Sequence, residues 1–220
     1  NPDSKPTQIE ISPKSEAVLV AEPDSNAITA FGLDESTGVP GVVLVHTAHP
    51  GSGSSHMQSP WGLAFDTEGF VLSSEAAGSM PAASSVGVHK VSAHGDELSI
   101  HSAATSLSTE QTIATDVAIT RNGRYAFIAN LGSDTISAVR ARKVADDRID
   151  LQLVDPGGVS ARTGLAPVAL ALTHNDRFLY SLNSGDGSIG VYQVRKRDGR
   201  LLARQQVYGL PASASGLVSR

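Results

Sequence analysis

The sequence of 220 residues contains no cysteine, which excludes both disulfide bonds and a catalytic thiol. A chain without cysteine fits the cytosol, the periplasm and secretion equally well, so composition leaves the compartment open. Aromatic residues make up only 5% of the chain, and there is one tryptophan. No apolar run approaches the roughly 18 residues that a membrane-spanning helix needs, so no membrane partner is expected.

Positive charge is also scarce. The chain has 17 Lys and Arg residues against 22 Asp and Glu residues, a formal net charge of -5, and no long basic run. Nucleic acids and anionic membrane surfaces recruit clusters of basic residues, so neither is expected to bind this chain. A small molecule or another protein is the favoured partner.

The sequence contains four copies of an internal repeat. Each copy opens with a short alternating apolar run, and the residues that end these runs are Ser12, Asp66, Thr120 and Thr173, at intervals of 54, 54 and 53. A polar turn then leads to a second run such as FVLSSE or YAFIAN, a third such as TISAV, and a more polar fourth such as RIDLQLVD. Period-two alternation between polar turns predicts antiparallel strands. Four strands in each repeat of about 50 residues are typical of a β-propeller blade.

The sequence therefore predicts an all-β fold: a single β-propeller domain over residues 1–220 with four four-stranded blades. The predicted blades span about 6–58, 59–111, 112–164 and 165–212. The last segment, 213–220, reads SASGLVSR and is similar to SPWGLAFD, which opens the second copy. We therefore predict that 213–220 adds one extra innermost strand, an orphan closing strand without a hairpin partner.

This orphan strand predicts that the four blades belong to a longer ring. Propellers close by letting strands from both ends of the chain share one blade, because open edges promote aggregation. The partner strands would have to precede Asn1, so we expect missing N-terminal blades of the same protein to complete the ring. Four blades on their own are expected to self-associate through their open edges.

The third and fourth copies carry the clearest motif. It reads GRYAFIANLGSDTIS from Gly123 to Ser137 and DRFLYSLNSGDGSI from Asp176 to Ile189. This YVTN-type repeat resembles that of the lactonase-type seven-bladed β-propellers, which include 6-phosphogluconolactonase and carboxymuconate-lactonizing enzymes. The resemblance covers essentially the whole chain. It implies that these are the C-terminal four blades of a seven-bladed ring, and that the substrate is a lactone.

The loops at one end of a propeller surround the channel mouth, where ligands usually bind. The residues predicted to bind ligand on that face are Gln8, Trp61, Gln111, Asp116, Asn130 and Asn183. Asn130 and Asn183 also have an alternative interpretation, as turn residues that cap their own backbone. Trp61 would either stack on a sugar or aromatic ligand or pack between blades.

Two carboxylates are the predicted catalytic residues. Glu22 and Glu75 end the second strands of the first two copies, where the other copies have asparagine. Ring-opening hydrolysis requires a general base that activates water, so we expect Glu75 or Glu22 to be that base at the channel mouth. An exposed glutamate at a turn is the alternative interpretation.

The resemblance also implies cations that hold the substrate and stabilise its oxyanion. At the positions where the family places His or Arg, this chain has Gln8, Trp61, Leu131 and Val168, none of which is cationic.

Three histidines, His46, His49 and His56, have a spacing that can wrap a metal ion. No carboxylate or cysteine stands near them, so we interpret them as solvated loop residues and expect neither a metal nor a cofactor.

Two functions are compatible with these observations. One is a hydrolase that opens a lactone or sugar-acid ring. The other is a non-catalytic propeller that binds a small ligand or a protein partner on the same face. An enzyme requires a base and a cation that converge, whereas a binding scaffold does not.

Overall fold

The fold is described from a computed structural model, which describes residues 5–14, 16–34, 36–48, 59–94, 97–211 and 213–218. Side chains are described throughout these ranges except at 42–48, 93, 94, 97 and 105. The helical segments in this part of the chain are three short 3₁₀ turns. None of them is long or apolar enough to span a membrane.

Four antiparallel sheets follow one another along the chain, and we call them blades 1 to 4. Blade 1 consists of β1 (Gln8–Ile11), β2 (Ala17–Glu22), β3 (Ala27–Leu33) and β4 (Pro40–Ala48). Blade 2 consists of β5 (Pro60–Phe65), β6 (Phe70–Glu75), β7 (Ser85–His94) and β8 (Glu97–Ser108).

Blade 3 consists of β9 (Ala114–Ile119), β10 (Tyr125–Asn130), β11 (Thr135–Ala145) and β12 (Arg148–Leu153), with the short β13 (Ala161–Arg162) paired to β11. Blade 4 consists of β14 (Pro167–Leu172), β15 (Phe178–Asn183), β16 (Ser188–Val194) and β17 (Leu201–Tyr208). In every blade the four main strands are hydrogen-bonded in sequence order, so each blade is a simple meander.

The repeated anchor residues fix the first hairpin of each blade. Ser12 Oγ accepts a hydrogen bond from the Ala17 N–H at 3.0 Å, and Asp66 Oδ1 accepts one from the Phe70 N–H at 2.8 Å. Thr120 Oγ1 and Thr173 Oγ1 accept the equivalent bonds in blades 3 and 4, at 3.1 and 3.0 Å. A short polar side chain at this position ties the end of the first strand to the start of the second, as in other side-chain-stabilised turns.

The hydrophobic core lies between successive blades rather than inside any one of them. Each apolar cluster combines side chains from two neighbouring sheets. The clusters include Leu19 and Leu63 between blades 1 and 2, Leu72 and Val117 between blades 2 and 3, and Phe127 and Leu170 between blades 3 and 4. Burial of a Leu, Val or Phe side chain contributes about 1.5–3 kcal/mol, so these interfaces hold the blades together.

The predicted β-propeller architecture with four four-stranded blades is confirmed. The segment 213–220 was expected to add an innermost strand, but residues 213–218 form no strand, and residues 219 and 220 lie outside the described residues. A strand requires a hydrogen-bonded neighbour, and no described segment pairs with them. Gly216 and Leu217 lie at the central groove instead.

Candidate functional site

The first strands of the four blades surround a groove of about 520 Å³. Successive first strands β1, β5, β9 and β14 lie beside one another, so the groove occupies the position of a propeller channel. Three of the predicted ligand-binding residues, Gln8, Trp61 and Asp116, line it. Leu131 and Val168 line it as well, so with Gln8 and Trp61 all four of the positions without a cation border this space.

Gln8 fastens blade 1 to blade 2. Its side-chain Nε2 donates a hydrogen bond to the Leu63 carbonyl at 2.9 Å, and its Oε1 accepts one from the Leu63 N–H at 2.8 Å. The amide therefore forms a two-bond bridge to the backbone of the next innermost strand. The second N–H of the Gln8 amide is not used in this bridge, so it can serve a ligand in the groove.

Asp116 occupies the equivalent position in blade 3, two repeats further along. Its Oδ2 accepts a hydrogen bond from the Leu170 N–H of blade 4 at 2.7 Å, and its Oδ1 accepts one from the Val117 N–H at 2.8 Å. Burial raises the pKa of Asp116 to about 6, although these two hydrogen bonds act in the opposite direction. Asp116 is thus a structural bridge that also contributes a carboxylate to the groove.

Gly62 stands at the same repeat position in blade 2, where a side chain cannot fit. A Cβ atom at residue 62 would lie 2.7 Å from the Asp116 Cα and 3.0 Å from the Val117 nitrogen. The absence of a side chain allows β5 and β9 to approach each other closely. Asp116 of blade 3 also lies close enough to blade 1 for its negative charge to act on Glu10.

Glu10 is the second carboxylate of the groove, and it is not among the residues predicted from the sequence to bind ligand or to catalyse. It lies on β1, where blades 2, 3 and 4 have Ala64, Ala118 and Ala171. Burial, together with the negative charge of Asp116, raises the pKa of Glu10 to about 7. The signal in the sequence was a single charged residue at a position that is alanine in the other three copies.

Trp61 and the two threonines at its repeat position complete one wall of the groove. The Thr7 hydroxyl donates a hydrogen bond to the Trp61 carbonyl at 2.8 Å, which ties blade 1 to blade 2. The Thr115 hydroxyl donates one to the Pro167 carbonyl at 3.0 Å, which ties blade 3 to blade 4. The Trp61 side chain is partly exposed at the groove, so an aromatic face is available to a ligand there.

The two predicted catalytic glutamates do not line the groove. Glu75 is completely buried, and it accepts hydrogen bonds from the hydroxyls of Ser73 and Ser106, each at 3.3 Å, and from the hydroxyl of Ser85. Glu22 is also buried and accepts a hydrogen bond from the Thr29 hydroxyl at 2.6 Å. The expectation that both carboxylates open onto the channel mouth is wrong, because each turns into its own sheet to meet hydroxyl groups. Their assignment as the catalytic base stays a prediction that this burial does not favour.

The remaining predicted ligand-binding residues are buried as well. Asn130 Nδ2 donates a hydrogen bond to Ser137 Oγ at 2.9 Å, and Asn183 Nδ2 donates one to Ser188 Oγ at 3.0 Å. Gln111 Nε2 donates one to the Gly157 carbonyl at 2.9 Å. These three amide side chains form hydrogen bonds at strand ends and to a loop, and they do not line the groove.

The groove is acidic and lacks cations. Among the described residues that line it, Glu10 and Asp116 are charged, and there is no Lys, Arg or His. Within the described part of the chain, no group of three or more His, Cys, Asp or Glu residues is placed to hold a metal ion. His49 and His56 lie outside the described residues, and the same holds for the side chain of His46.

No protein-family model matches the chain, and no curated protein matches it by sequence. Solved structures do match it in three dimensions. A protein from Bacteroides uniformis proposed to be a 6-phosphogluconolactonase is 16% identical, with a TM-score of 0.71, and the match covers 94% of this chain and 56% of that one. The periplasmic gluconolactonase PpgL of Pseudomonas aeruginosa is 16% identical, with a TM-score of 0.68, and the match covers 92% of this chain and 57% of that one.

The same fold also occurs in a protein of a different kind. Sqt1 of Chaetomium thermophilum, in a structure bound to the N-terminus of ribosomal protein L10, is 17% identical with a TM-score of 0.57, and the match covers 86% of this chain and 45% of that one. The chain thus spans little more than half the length of the lactonase-like structures. At these identities the likeness shows the fold alone. The chain has the β-propeller fold of the lactonase-type proteins.

Proposed function

We propose that the central groove binds a small neutral lactone and that Glu10 is the general base that opens it. The observation that carries this proposal is the state of the Glu10 carboxylate. It lies at the groove, its pKa is about 7, and no described residue donates a hydrogen bond to it. A base with a pKa near the working pH combines a large ionised fraction with a strong tendency to take a proton.

The reaction proceeds in two proton transfers. Ionised Glu10 takes a proton from a water molecule as the water oxygen attacks the lactone carbonyl, which gives a tetrahedral oxyanion. When this intermediate collapses, the ring C–O bond breaks, and the leaving alkoxide takes the proton back from Glu10. The product is the hydroxy acid, and Glu10 returns to its starting state.

The charge of the groove supports a neutral substrate. Glu10 and Asp116 are acidic, and no described cation lines the groove to hold a phosphate or carboxylate. A phosphorylated lactone would therefore meet repulsion instead of an ion pair. Trp61 offers an aromatic face on which the apolar side of a sugar ring packs. The fold of PpgL, a gluconolactonase, supports the same class of substrate.

A lactone hydrolysis assay tests the proposal directly. A panel of neutral sugar lactones is supplied to the protein, and acid release is followed by titration at constant pH. Glu10→Gln keeps the size of the side chain but removes the base, so we expect a loss of about 10²–10⁴-fold in rate. The matched control is Glu16→Gln, which removes one carboxylate from the far end of blade 1 and should leave the rate unchanged. Equal rates for wild type and Glu10→Gln, or no rate above background, would refute the proposal.

A second candidate function is ligand binding without turnover. It is favoured by the lining of the groove, because the described residues there supply no cation to converge with Glu10, and a binding scaffold needs none. The single tryptophan lines the groove, so its fluorescence reports occupancy. A saturable change in Trp61 fluorescence, with no acid release and no effect of Glu10→Gln on affinity, would identify a binding scaffold.

A further inference from the structure

Positive charge is distributed very unevenly along the chain. Residues 1–111, which include blades 1 and 2, contain 3 Lys and Arg residues against 13 Asp and Glu residues, whereas residues 112–220 contain 14 against 9. The formal net charges of the two halves are therefore -10 and +5. A charge asymmetry of this size is typical of a chain that has a surface for a charged partner.

The positive charge of the second half is concentrated in three turns of blades 3 and 4. These turns are 120–124 between β9 and β10, 173–177 between β14 and β15, and 195–200 between β16 and β17. In a meander of four antiparallel strands, the turns after the first and third strands lie at the same end of the sheet. Together the three turns contain seven Lys and Arg residues and two Asp residues.

Hydrogen bonds between the blades bring these three turns together. Arg121 Nη1 lies 2.6 Å from His174 Nε2, and the Arg121 N–H donates a hydrogen bond to the Asp176 carboxylate at 3.2 Å. The hydroxyl of Tyr125, which follows the first turn directly, donates one to the Arg197 carbonyl at 3.0 Å. The three turns therefore form one continuous surface, which we call the basic patch.

The cations of the basic patch are exposed, whereas its two carboxylates form hydrogen bonds and ion pairs within the protein. Asp176 and Asp198 are only partly exposed. Asp176 accepts the hydrogen bond from the Arg121 backbone, and Asp198 Oδ2 pairs with Arg195 Nη2 at 2.9 Å. Six of the seven basic residues are exposed, namely Arg121, Arg124, Arg177, Lys196, Arg197 and Arg200. The patch thus presents an excess of positive charge to an incoming partner.

Arg124 and Arg177 have guanidinium groups that no carboxylate of the described residues neutralises. Each lies over the aromatic ring of the next residue, at 5.9 Å from the centre of the Tyr125 ring and 5.5 Å from the centre of the Phe178 ring. A guanidinium group carries five N–H donors in a planar fork that matches the geometry of a carboxylate. Both arginines therefore have donors available to a partner.

We propose that the basic patch binds an acidic segment of a partner protein, in which several Asp or Glu side chains lie close together. Arginine and carboxylate form paired, charge-assisted hydrogen bonds, and the patch offers such donors on three adjoining turns. A nucleic acid fits this end of the molecule less well. The equivalent turns of blades 1 and 2 contain Asp34, Asp66 and Glu68, which a long polyanion would meet and a short acidic segment would not. The proposal does not depend on lactone hydrolysis in the central groove.

Fluorescence anisotropy with a labelled hexaglutamate peptide tests this proposal, because the peptide has one side-chain carboxylate for each exposed cation of the patch. Wild type is compared with the double variant Arg124→Gln/Arg177→Gln, which removes one exposed cation from each of two turns. The matched control, Lys5→Gln/Arg162→Gln, removes the same charge from exposed residues outside the patch. We expect the patch variant to bind about 5–30-fold more weakly than wild type. The control should stay within about twofold, and added salt should weaken binding.

Four results would overturn the proposal. Equal affinities of the patch variant and the control would show that only the total charge matters. Equal binding of a glutamine peptide of the same length would show that carboxylates are not recognised, and tighter binding of an RNA oligonucleotide of the same charge would make a nucleic acid the partner. Sedimentation of the protein alone gives the last test, because salt-sensitive dimers that Arg124→Gln/Arg177→Gln abolishes would identify a second copy as the occupant.

Discussion

Replacing Glu75 with glutamine should stabilise the protein, and the gain should depend on pH. Glu75 is completely buried between hydroxyl groups, and burial raises its pKa from 4.5 to about 7 even though the hydrogen bonds from serine act against this. Blades 3 and 4 have the neutral amides Asn130 and Asn183 at the same repeat position. Glutamine keeps an acceptor for the serine hydroxyls without a charge to bury.

The direction in which the free energy of unfolding changes with pH follows from the protonation of Glu75 in the folded and unfolded states. Between pH 4.5 and about 7 the folded protein holds a proton on Glu75 that the unfolded chain has lost, so the free energy of unfolding falls as the pH rises through this range. Above pH 7, Glu75 is ionised in both the folded protein and the unfolded chain, so the full cost of burying its charge lowers the free energy of unfolding. A pKa difference of this size corresponds to about 3 kcal/mol. For a chain of this length, that is a shift of about 6–12 °C in Tm.

The assay is thermal unfolding of wild type and Glu75→Gln at pH 4.5 and pH 8. We expect nearly equal Tm values at the acidic pH and a higher Tm for the variant at pH 8. Glu16→Gln, at a partly exposed carboxylate on blade 1, serves as the control and should follow wild type at both pH values. A Glu75→Gln variant that is less stable than wild type at pH 8 would refute the argument, because it would show that the ionised carboxylate is stabilised where it lies.

Three further substitutions test the groove, at Gly62 and Asp116, and the end of a second strand, at Asn130. Gly62→Ala should lower the free energy of unfolding by about 1–3 kcal/mol, because its Cβ has no room beside Asp116, and denaturant unfolding measures the loss. Burial and, to a smaller extent, the charge of Asp116 raise the pKa of Glu10; Asp116→Asn removes the second cause, so the pH dependence of hydrolysis should move to lower pH. Asn130→Ala should cost about 1–3 kcal/mol, since Asn130 is fully buried and hydrogen-bonded to Ser137, whereas a loss below about 0.5 kcal/mol would contradict this account.

The fold was predictable because its determinants are local and repeated. Ser12, Asp66, Thr120 and Thr173 mark the repeat in the sequence, and in the structure each of them accepts the hydrogen bond that fixes a hairpin. The same local hydrogen bond therefore recurs in all four repeats, which makes the hairpin pattern readable from the sequence. The strand expected at 213–220 depends instead on a neighbour outside the repeat pattern, and the described part of that segment, 213–218, forms no strand.

The site was harder to predict because it depends on where side chains point. Glu75 ends the second strand of blade 2 and Glu10 lies within the first strand of blade 1, but Glu75 turns into its own sheet, whereas Glu10 faces the groove. The position of Trp61 and Asp116 at the groove agrees with the sequence analysis, since both belong to innermost strands. The negative charge of Asp116 in blade 3 acts on Glu10 in blade 1, and an influence between different repeats is not visible in any single repeat.

The pH dependence of lactone hydrolysis tests the role of Glu10 most directly. The base must be ionised to activate water, so kcat/KM for a neutral lactone should rise with pH and level off above an apparent pKa of about 7. In Glu10→Gln this rise should disappear, and the residual rate should be the same on both sides of pH 7. A rise with the same midpoint in wild type and Glu10→Gln would show that another group is the base, and it would contradict the proposed function.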